Sequence, residues 1–271
     1  MEQLSISTGS CIVERDAHTL VVTLNRPEAK NAFNPPMLVG MYRAWRLLAS
    51  DDTLHSAVLT ARGDTFCAGM DLKAGPEGGE DAAEIQALMR EIPNLHWQAL
   101  LRDDRPAKPL LLAVEGYALA GGTEILQGTD IRVAAEDAVF GVTEVARGLY
   151  PMAGSTIRLR RQIPYCIAAE ILLTGRHVTA REALDWGLIN RIAPKGKALE
   201  EALAIAAQIA ANGPVAVRAV MQSLREHEEC LPEAEAMQRS DALGWPVFAT
   251  EDAREGMRAF KERRAAQFKG R

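Results

Sequence analysis

The chain has no block of like charge. Its 31 basic and 36 acidic side chains are dispersed, giving a formal net charge of −5 and a sequence pI of about 5.7. That balance argues against nucleic acid or an anionic membrane surface as the main partner. Runs of about 18 or more apolar residues are missing, so no segment reads as a membrane span. The N-terminal MEQLSISTGSC lacks the basic and apolar regions of a secretory signal. The four cysteines, Cys11, Cys67, Cys166 and Cys230, form no C-x-x-C pair. In a chain of this size they read as free thiols of a reducing compartment rather than as a disulfide framework. These absences point to a soluble, cytoplasmic protein. His18, His55, His96, His177 and His227 never fall three or four residues apart, and there is no H-E-x-x-H or Cys/His cluster. A metal site is therefore not expected. G-x-S-x-G is absent too, which removes a serine-hydrolase elbow. Ser155, in PMAGST, has no histidine tied to it and reads as a surface or capping hydroxyl. No internal repeat and no long low-complexity tract is visible.

What is present is a core. Hydrophobic residues make up 48% of 271 residues, enough for one large domain or two smaller ones. Thr19–Leu24 reads as a strand that breaks at Pro27. NPPMLVGMYRAWRLLASD reads as a helix capped by Asn34, with prolines in its first turn and Met37, Met41, Trp45 and Leu48 at helical spacing. Ser56–Ala61 is a short apolar strand. RGDTFCAGMDLKAGPEGGE shows no sustained period and reads as a glycine-rich loop with a mobile GPEGGED tip. Glu80–Leu101 is mostly helical and interrupted near Pro93. PLLLAVEG is a buried strand, and DIRVAAEDAVFG gives two short strands around an Asp turn. Strands alternating with helices argue for an α/β core with parallel pairing. After Ile163 helices dominate: Ile167–Thr174, Ala180–Trp186 capped by Thr179, Ala198–Ala211, Pro214–His227 and Glu251–Phe268, with a clean break at Asn212-Gly213-Pro214.

One stretch raises a chemical question. ALAGGTEIL, Ala118–Leu126, places two glycines after an apolar run and a glutamate just beyond them. It does not spell G-x-G-x-x-G, so a dinucleotide site is disfavoured. Two readings stay open. Gly121 and Gly122 could simply permit tight helix–strand packing. Alternatively, they could let a ligand approach the free N–H groups of a helix N-terminus, one of which could serve a developing oxyanion. FCAGMDL, Phe66–Leu72, offers a second glycine turn after a strand. Glu124 and Glu144, the latter in FGVTEVARG, could be solvated or capping residues. In apolar surroundings they could instead form a general acid/base pair.

These motifs, in this order, make the chain resemble the enoyl-CoA hydratase/isomerase (crotonase) superfamily. The resemblance runs from LNRPEAKNAF through FCAGMDL, AVEGYALAGGTEILQGTDIRVAAEDAVFG and LTGRHVTAREALDWGLINRI to EDAREGMRAFKERRAAQF. It implies an α/β spiral of ββα units over residues 1–195, which holds the active site. Residues 196–271 would form a helical region for oligomerisation, as a homotrimer or homohexamer. The ligand implied is an acyl-CoA thioester, with coenzyme A as part of the substrate and no separate cofactor. The backbone N–H groups of Met70 and Gly121 would form the oxyanion hole. Glu124 would activate water for addition to the β-carbon of a 2-enoyl-CoA, and Glu144 would exchange the proton at the α-carbon. Arg26, Lys30 and Lys73 would meet the CoA phosphates. Ala68 and the run Met70, Asp71, Leu72 and Lys73 would flank adenine and pantetheine. Phe260 and Arg263 fall where an aromatic and a basic residue reach CoA in the family.

The chain departs from the family pattern in three places. The usual triple glycine reads Ala120-Gly121-Gly122, and Thr143 stands where proline often precedes the second glutamate. LYPMAGST replaces the usual PGAGG, so Met152 takes a glycine position beside the acyl pocket, near Arg147 and Tyr150. The segment Asp71–Glu115 is also longer than in short-chain hydratases, and its tip is a candidate lid. The implied function is 2-enoyl-CoA hydration. The competing expectations are another crotonase reaction on an unusual acyl-CoA, such as isomerisation, and a non-catalytic acyl-CoA-binding subunit.

Overall fold

A computed structural model describes residues 1–72, 82–226 and 233–271. Lys73, the GPEGGED tip, His227 and Cys230 lie outside the described residues. The strands are β1 (Glu2–Gln3), β2 (Cys11–Asp16), β3 (Thr19–Leu24), β4 (Ser56–Ala61), β5 (Thr65–Cys67), β6 (Leu110–Val114), β7 (Tyr117–Leu119), β8 (Ile131–Ala135), β9 (Val139–Gly141), β10 (Val178–Thr179) and β11 (Arg191–Ala193). The helices are α1 (Pro35–Ser50), α2 (Ala82–Glu91), α3 (Leu95–Ala99), α4 (Gly121–Leu126), α5 (Ser155–Gln162), α6 (Tyr165–Thr174), α7 (Ala180–Asp185), α8 (Ala198–Ala210), α9 (Pro214–Glu226), α10 (Glu233–Phe248) and α11 (Glu251–Glu262).

A seven-stranded sheet runs in the order β1-β2-β3-β4-β6-β8-β11, and a four-stranded one in the order β10-β9-β7-β5. From β3 to β11 the large sheet is parallel. Its central strands are buried along nearly their whole length, as strands covered on both faces must be. Alternation along each strand then sorts side chains between two layers. Val58, Leu111, Ala113 and Val133 pack against Ala198, Ala202, Ile205 and Ala206 of α8. Ala57, Leu59, Leu112 and Val114 face the larger core with Met37, Met41, Trp45 and Leu48 of α1. The region expected to be separate from residue 196 therefore begins with a helix that covers the sheet.

The ββα repeat is visible three times. After a short turn, β4, β6 and β8 lead into β5, β7 and β9, which pair in parallel as the small sheet. A helix follows each pair. Successive turns nest closely. A Cβ on Gly116 would lie 1.9 Å from the Asp64 carbonyl oxygen, so the turn after β6 can only be glycine.

Local signals held where they were strong. Asn34 Oδ1 accepts the Met37 N–H at 3.1 Å, and Thr179 forms a capping box with Glu182. The break before Pro214 bends α8 from α9 by 111°. Two expectations are corrected. The glycine-rich loop contains β5, a strand too short to show a period. The helix expected over Glu251–Phe268 stops at Glu262, where Arg263 turns left-handed with φ 54°. The tail then folds back, and the Lys269 and Gly270 N–H groups donate to the Asp252 carboxylate at 2.6 and 2.8 Å. Among the described residues, no single helix is long and apolar enough to cross a membrane. Burial pushes the Cys11 and Cys67 thiols up to about 12, so neither is poised to react.

Candidate active site

The turn after β5 meets the N-terminus of α4. Gly69 adopts φ +100°, and a Cβ there would lie 2.9 Å from the Ala120 Cβ and 3.3 Å from the Gly121 nitrogen. Two backbone segments can approach this closely only without a side chain between them. Met70 forms a parallel bridge with Phe33. The Phe33 N–H donates to the Gly69 carbonyl at 2.8 Å and the Asp71 N–H to the Phe33 carbonyl at 3.1 Å. In such a bridge the central residue's own N–H points away from the paired segment, and the Met70 N–H finds no acceptor among the described residues. Gly121 opens α4, where N–H groups lack intrahelical partners. Its N–H also has no acceptor among the described residues.

The two glycines of this turn divide the readings that the sequence left open. A Cβ on Gly122 would sit 2.5 Å from the Cys67 carbonyl oxygen, so Gly122 is a packing requirement. A Cβ on Gly121 would meet the Phe33 ring at 3.3 Å and the Gly69 Cα at an ordinary contact distance of 3.6 Å. Gly121 is the glycine that packing does not demand. Ala120, in place of the first family glycine, still takes φ 50°. Its N–H donates to the Gly141 carbonyl at 2.7 Å, so the turn persists under strain.

Both free N–H groups belong to residues lining one cavity of about 460 Å³. The turn after β5 supplies Ala68, Met70 and Leu72; α3 and its C-cap supply Trp97 and Leu100; α4 supplies Ala120, Gly121 and Glu124. The stretch between β9 and α5 supplies Thr143, Glu144, Arg147, Leu149, Tyr150, Met152 and Ala153. Met152 thus reaches the cavity wall. Arg147 is steadied by Thr143, whose carbonyl and hydroxyl oxygens accept its Nη1 at 3.3 and 3.0 Å. Trp97 and Leu100 went unread in the sequence, where they look like ordinary helix residues.

The two carboxylates sit in different surroundings. Glu124, 3% exposed, accepts the Ser155 N–H at 3.1 Å through Oε1. Burial raises its pKa, while donors from Ser155 and Ala153 oppose that rise. Glu144 is pushed up to about 7, first by burial and then by the charge of Glu124. Its Oε2 is buried with no partner among the described residues. That mutual repulsion places the two carboxyl groups in one electrostatic unit. Ser155 is a correction. It is wholly buried against Glu124 instead of lying at the surface, and the N-cap of α5 is Gly154. Only the tertiary packing of α5 over α4 reveals this.

The expected CoA contacts separate as well. Arg26 donates from Nη1 to the Asp71 carboxylate at 3.0 Å and to the Ala32 carbonyl at 2.9 Å. Arg26, expected at a CoA phosphate, ties the loop after β3 to the turn after β5 through Nη1. Lys30 is exposed and pairs with the exposed Asp64 at 2.9 Å. Leu72 and Met70 are exposed beside the cavity. Phe260, 85% exposed, and Arg263 lie at the end of α11 and do not line the cavity. Among the described residues, no three His, Cys, Asp or Glu side chains converge as a metal site would.

A ββα spiral with two unpaired N–H groups and two coupled carboxyl groups around one cavity defines a site for polarising a carbonyl and moving protons beside it. The chain belongs to the enoyl-CoA hydratase/isomerase family, whose model matches residues 14–271. It is 50% identical over 267 residues to enoyl-CoA hydratase EchA19 of Mycobacterium tuberculosis, covering 98% of both chains. It is 35% identical to 2,3-dehydroadipyl-CoA hydratase of Escherichia coli, covering 96% of this chain and 98% of that one. Among solved structures it is similar to an enoyl-CoA hydratase from Mycobacterium tuberculosis H37Rv. That match has a TM-score of 0.86 and 40% identity, over 97% of this chain and 100% of the other.

Proposed function

We propose that the chain is an enoyl-CoA hydratase that adds water across the 2,3 double bond of a 2-enoyl-CoA thioester. The observation that carries this reading is the unequal pair: Glu124 held by donors, and Glu144 raised to about 7 beside it. An acid and a base facing one cavity suit the addition of water. The thioester oxygen accepts the Met70 and Gly121 N–H groups as it gains enolate charge. Each such donor is worth roughly 2.7–4 kcal/mol in the transition state. Glu124 takes a proton from water as its oxygen bonds to the β-carbon. Glu144 gives its proton to the α-carbon as the enolate collapses. Proton exchange between the two then restores the starting state.

Adding water forms a C–O and a C–H bond in place of the C=C π bond with no net oxidation or reduction, so the proposed reaction calls for no redox cofactor, and coenzyme A belongs to the substrate. Ala68, Met70 and Leu72 line the cavity, and with Asp71 between them they form the edge along which pantetheine lies, with exposed Lys30 as the phosphate contact. Assembly into homotrimers or homohexamers is part of the same proposal, supported by exposed apolar residues on α10 and α11. The test is loss of enone absorbance across 2-enoyl-CoA thioesters from crotonyl to long-chain, branched and aromatic acyl groups. At least one class is consumed, and Glu124→Gln and Glu144→Gln each cut the rate by roughly 10²–10⁴-fold. Full activity in either variant overturns the proposal.

A further inference from the structure

The stretch between β9 and α5 is fixed at both ends beside the two carboxyl groups. It begins at Glu144, whose backbone carbonyl accepts the Leu149 N–H at 3.0 Å. It ends at Ser155, whose N–H donates to Glu124 at 3.1 Å. The middle of the stretch lines the cavity, where Leu149, Tyr150 and Met152 are 48% to 62% exposed. Leu100 and Ala153 in the same lining are buried. The cavity therefore passes from a closed apolar floor beside Glu124 to an open apolar rim.

Two side chains of this stretch carry polar ends, and threonines hold both. Arg147 Nη1 donates to the carbonyl and hydroxyl oxygens of Thr143. The Tyr150 hydroxyl donates to Thr156 Oγ1 at 3.1 Å. What they leave for a ligand is a hydrocarbon stem and an aromatic ring. From α3, Trp97 adds an indole held by Arg102, whose guanidinium carbon lies 4.6 Å from the ring centroid. The Met152 thioether is the adaptable part of the wall. A crotonyl chain held at the Met70 and Gly121 N–H groups ends one carbon past the β-carbon, beside the carboxyl groups, and leaves the rim in water. Yet a cavity of about 460 Å³ is large enough to enclose a drug-sized ligand. Exposed apolar surface becomes favourable only when something takes it out of water.

We propose that the substrate carries a large apolar acyl group that runs past the carboxyl groups onto this rim, and that Leu149, Tyr150 and Met152 are the residues that select it. That the ligand is a CoA thioester rests on the hydratase reading; the apolar rim does not.

The experiment is calorimetric binding of butyryl-CoA, decanoyl-CoA and the carboxylate-ended decanedioyl-CoA, saturated thioesters with no double bond to hydrate. It is paired with kcat/KM for crotonyl-CoA and 2-decenoyl-CoA. Decanoyl-CoA should bind at least roughly tenfold tighter than butyryl-CoA, with kcat/KM favouring the longer enoyl chain by a similar factor. Tyr150→Ser and Met152→Ser alter positions more than half exposed, so the fold persists. Each should cut the decanoyl-to-butyryl affinity ratio by roughly threefold or more. Tyr150→Phe should keep that ratio, because the ring and not the hydroxyl meets the chain. Equal affinity for the two thioesters overturns the proposal. So does an unchanged ratio in either serine variant, the result expected if a second copy of the chain covers the rim. Tighter binding of decanedioyl-CoA than of decanoyl-CoA overturns it too, and gives Arg147 a carboxylate at the far end of the chain. Preference for decanoyl-CoA with no hydration of any enoyl-CoA upholds the rim and overturns the hydratase reading alone.

Discussion

Glu144 is where stability and chemistry oppose each other within a single side chain. Its ordinary pKa is 4.5, and folding raises it to about 7. Below the ordinary value both the folded and unfolded chains hold the proton, and the site costs nothing. Between the two values the folded chain binds a proton that the unfolded chain has released, so stability falls as pH rises through this window. Above it the full cost is present. Glu144→Gln keeps the shape and removes the charge. In urea unfolding the variant should therefore match the wild type at pH 4 and exceed it by about 2 kcal/mol at pH 8, a figure discounted for partial solvent contact. A variant no more stable at pH 8 than at pH 4, relative to the wild type, contradicts the assignment of burial and repulsion at this residue. The same titration governs the reaction. The kcat/KM for hydration should decline above about 7, as Glu144 loses the proton it must deliver.

At the scale of the element, the first turn of α4 separates two adjacent glycines by what each position tolerates. Gly122→Ala would drive a methyl group to 2.5 Å from the Cys67 carbonyl oxygen, which belongs to β5 and cannot swing aside. A loss of about 3 kcal/mol is expected. Gly121→Ala meets the edge of the Phe33 ring at 3.3 Å and the Gly69 Cα at 3.6 Å, and should cost under about 1 kcal/mol. Gly121 lines the cavity, so a methyl group there crowds the proposed thioester site and hydration should fall roughly 10²-fold while the fold persists. Thermal melts paired with the enone assay check both, and equal destabilisation by the two variants would refute the division. This turn also marks the boundary of what the sequence reveals. Elements set by local chemistry were legible: the Asn34 cap, the Thr179 cap, and the bounds of β3 and β4, short strands with apolar centres. β5 and β7 span three residues each and carry no period of their own, so their pairing within the small sheet defines them. The burial of Ser155 against Glu124 and the tie of Arg26 to Asp71 were illegible for the same reason. The contacts that decide their roles join positions 31 and 45 residues apart. Glu124 and Glu144 could be singled out locally and offered as a possible acid/base pair, but their separate roles entered through the family resemblance, since nothing in either flanking sequence assigns them.

For the molecule as a whole, the layers around the large sheet account for residues up to α8 but leave the last two helices without a covering layer. On α10, Met237, Trp245 and Phe248 are exposed at 59%, 69% and 68%, and the two aromatic rings lie 5.7 Å apart. Met257 and Phe260 of α11 are exposed at 56% and 85%. Scattered apolar side chains on a surface need no explanation, but the paired aromatics of α10, with further exposed apolar residues on α11, are the observation behind the proposed assembly. α8 already covers one face of the sheet without these side chains. Under that proposal a symmetric oligomer of this chain buries the same patch several times over. Light scattering after size exclusion should accordingly give three or six chains. Trp245→Glu and Phe248→Glu place a charge in the contact and should release monomers whose ββα core keeps its far-ultraviolet spectrum. A monomeric wild type, or variants that remain assembled, would mean that α10 and α11 face solvent and that the exposed rings serve another partner.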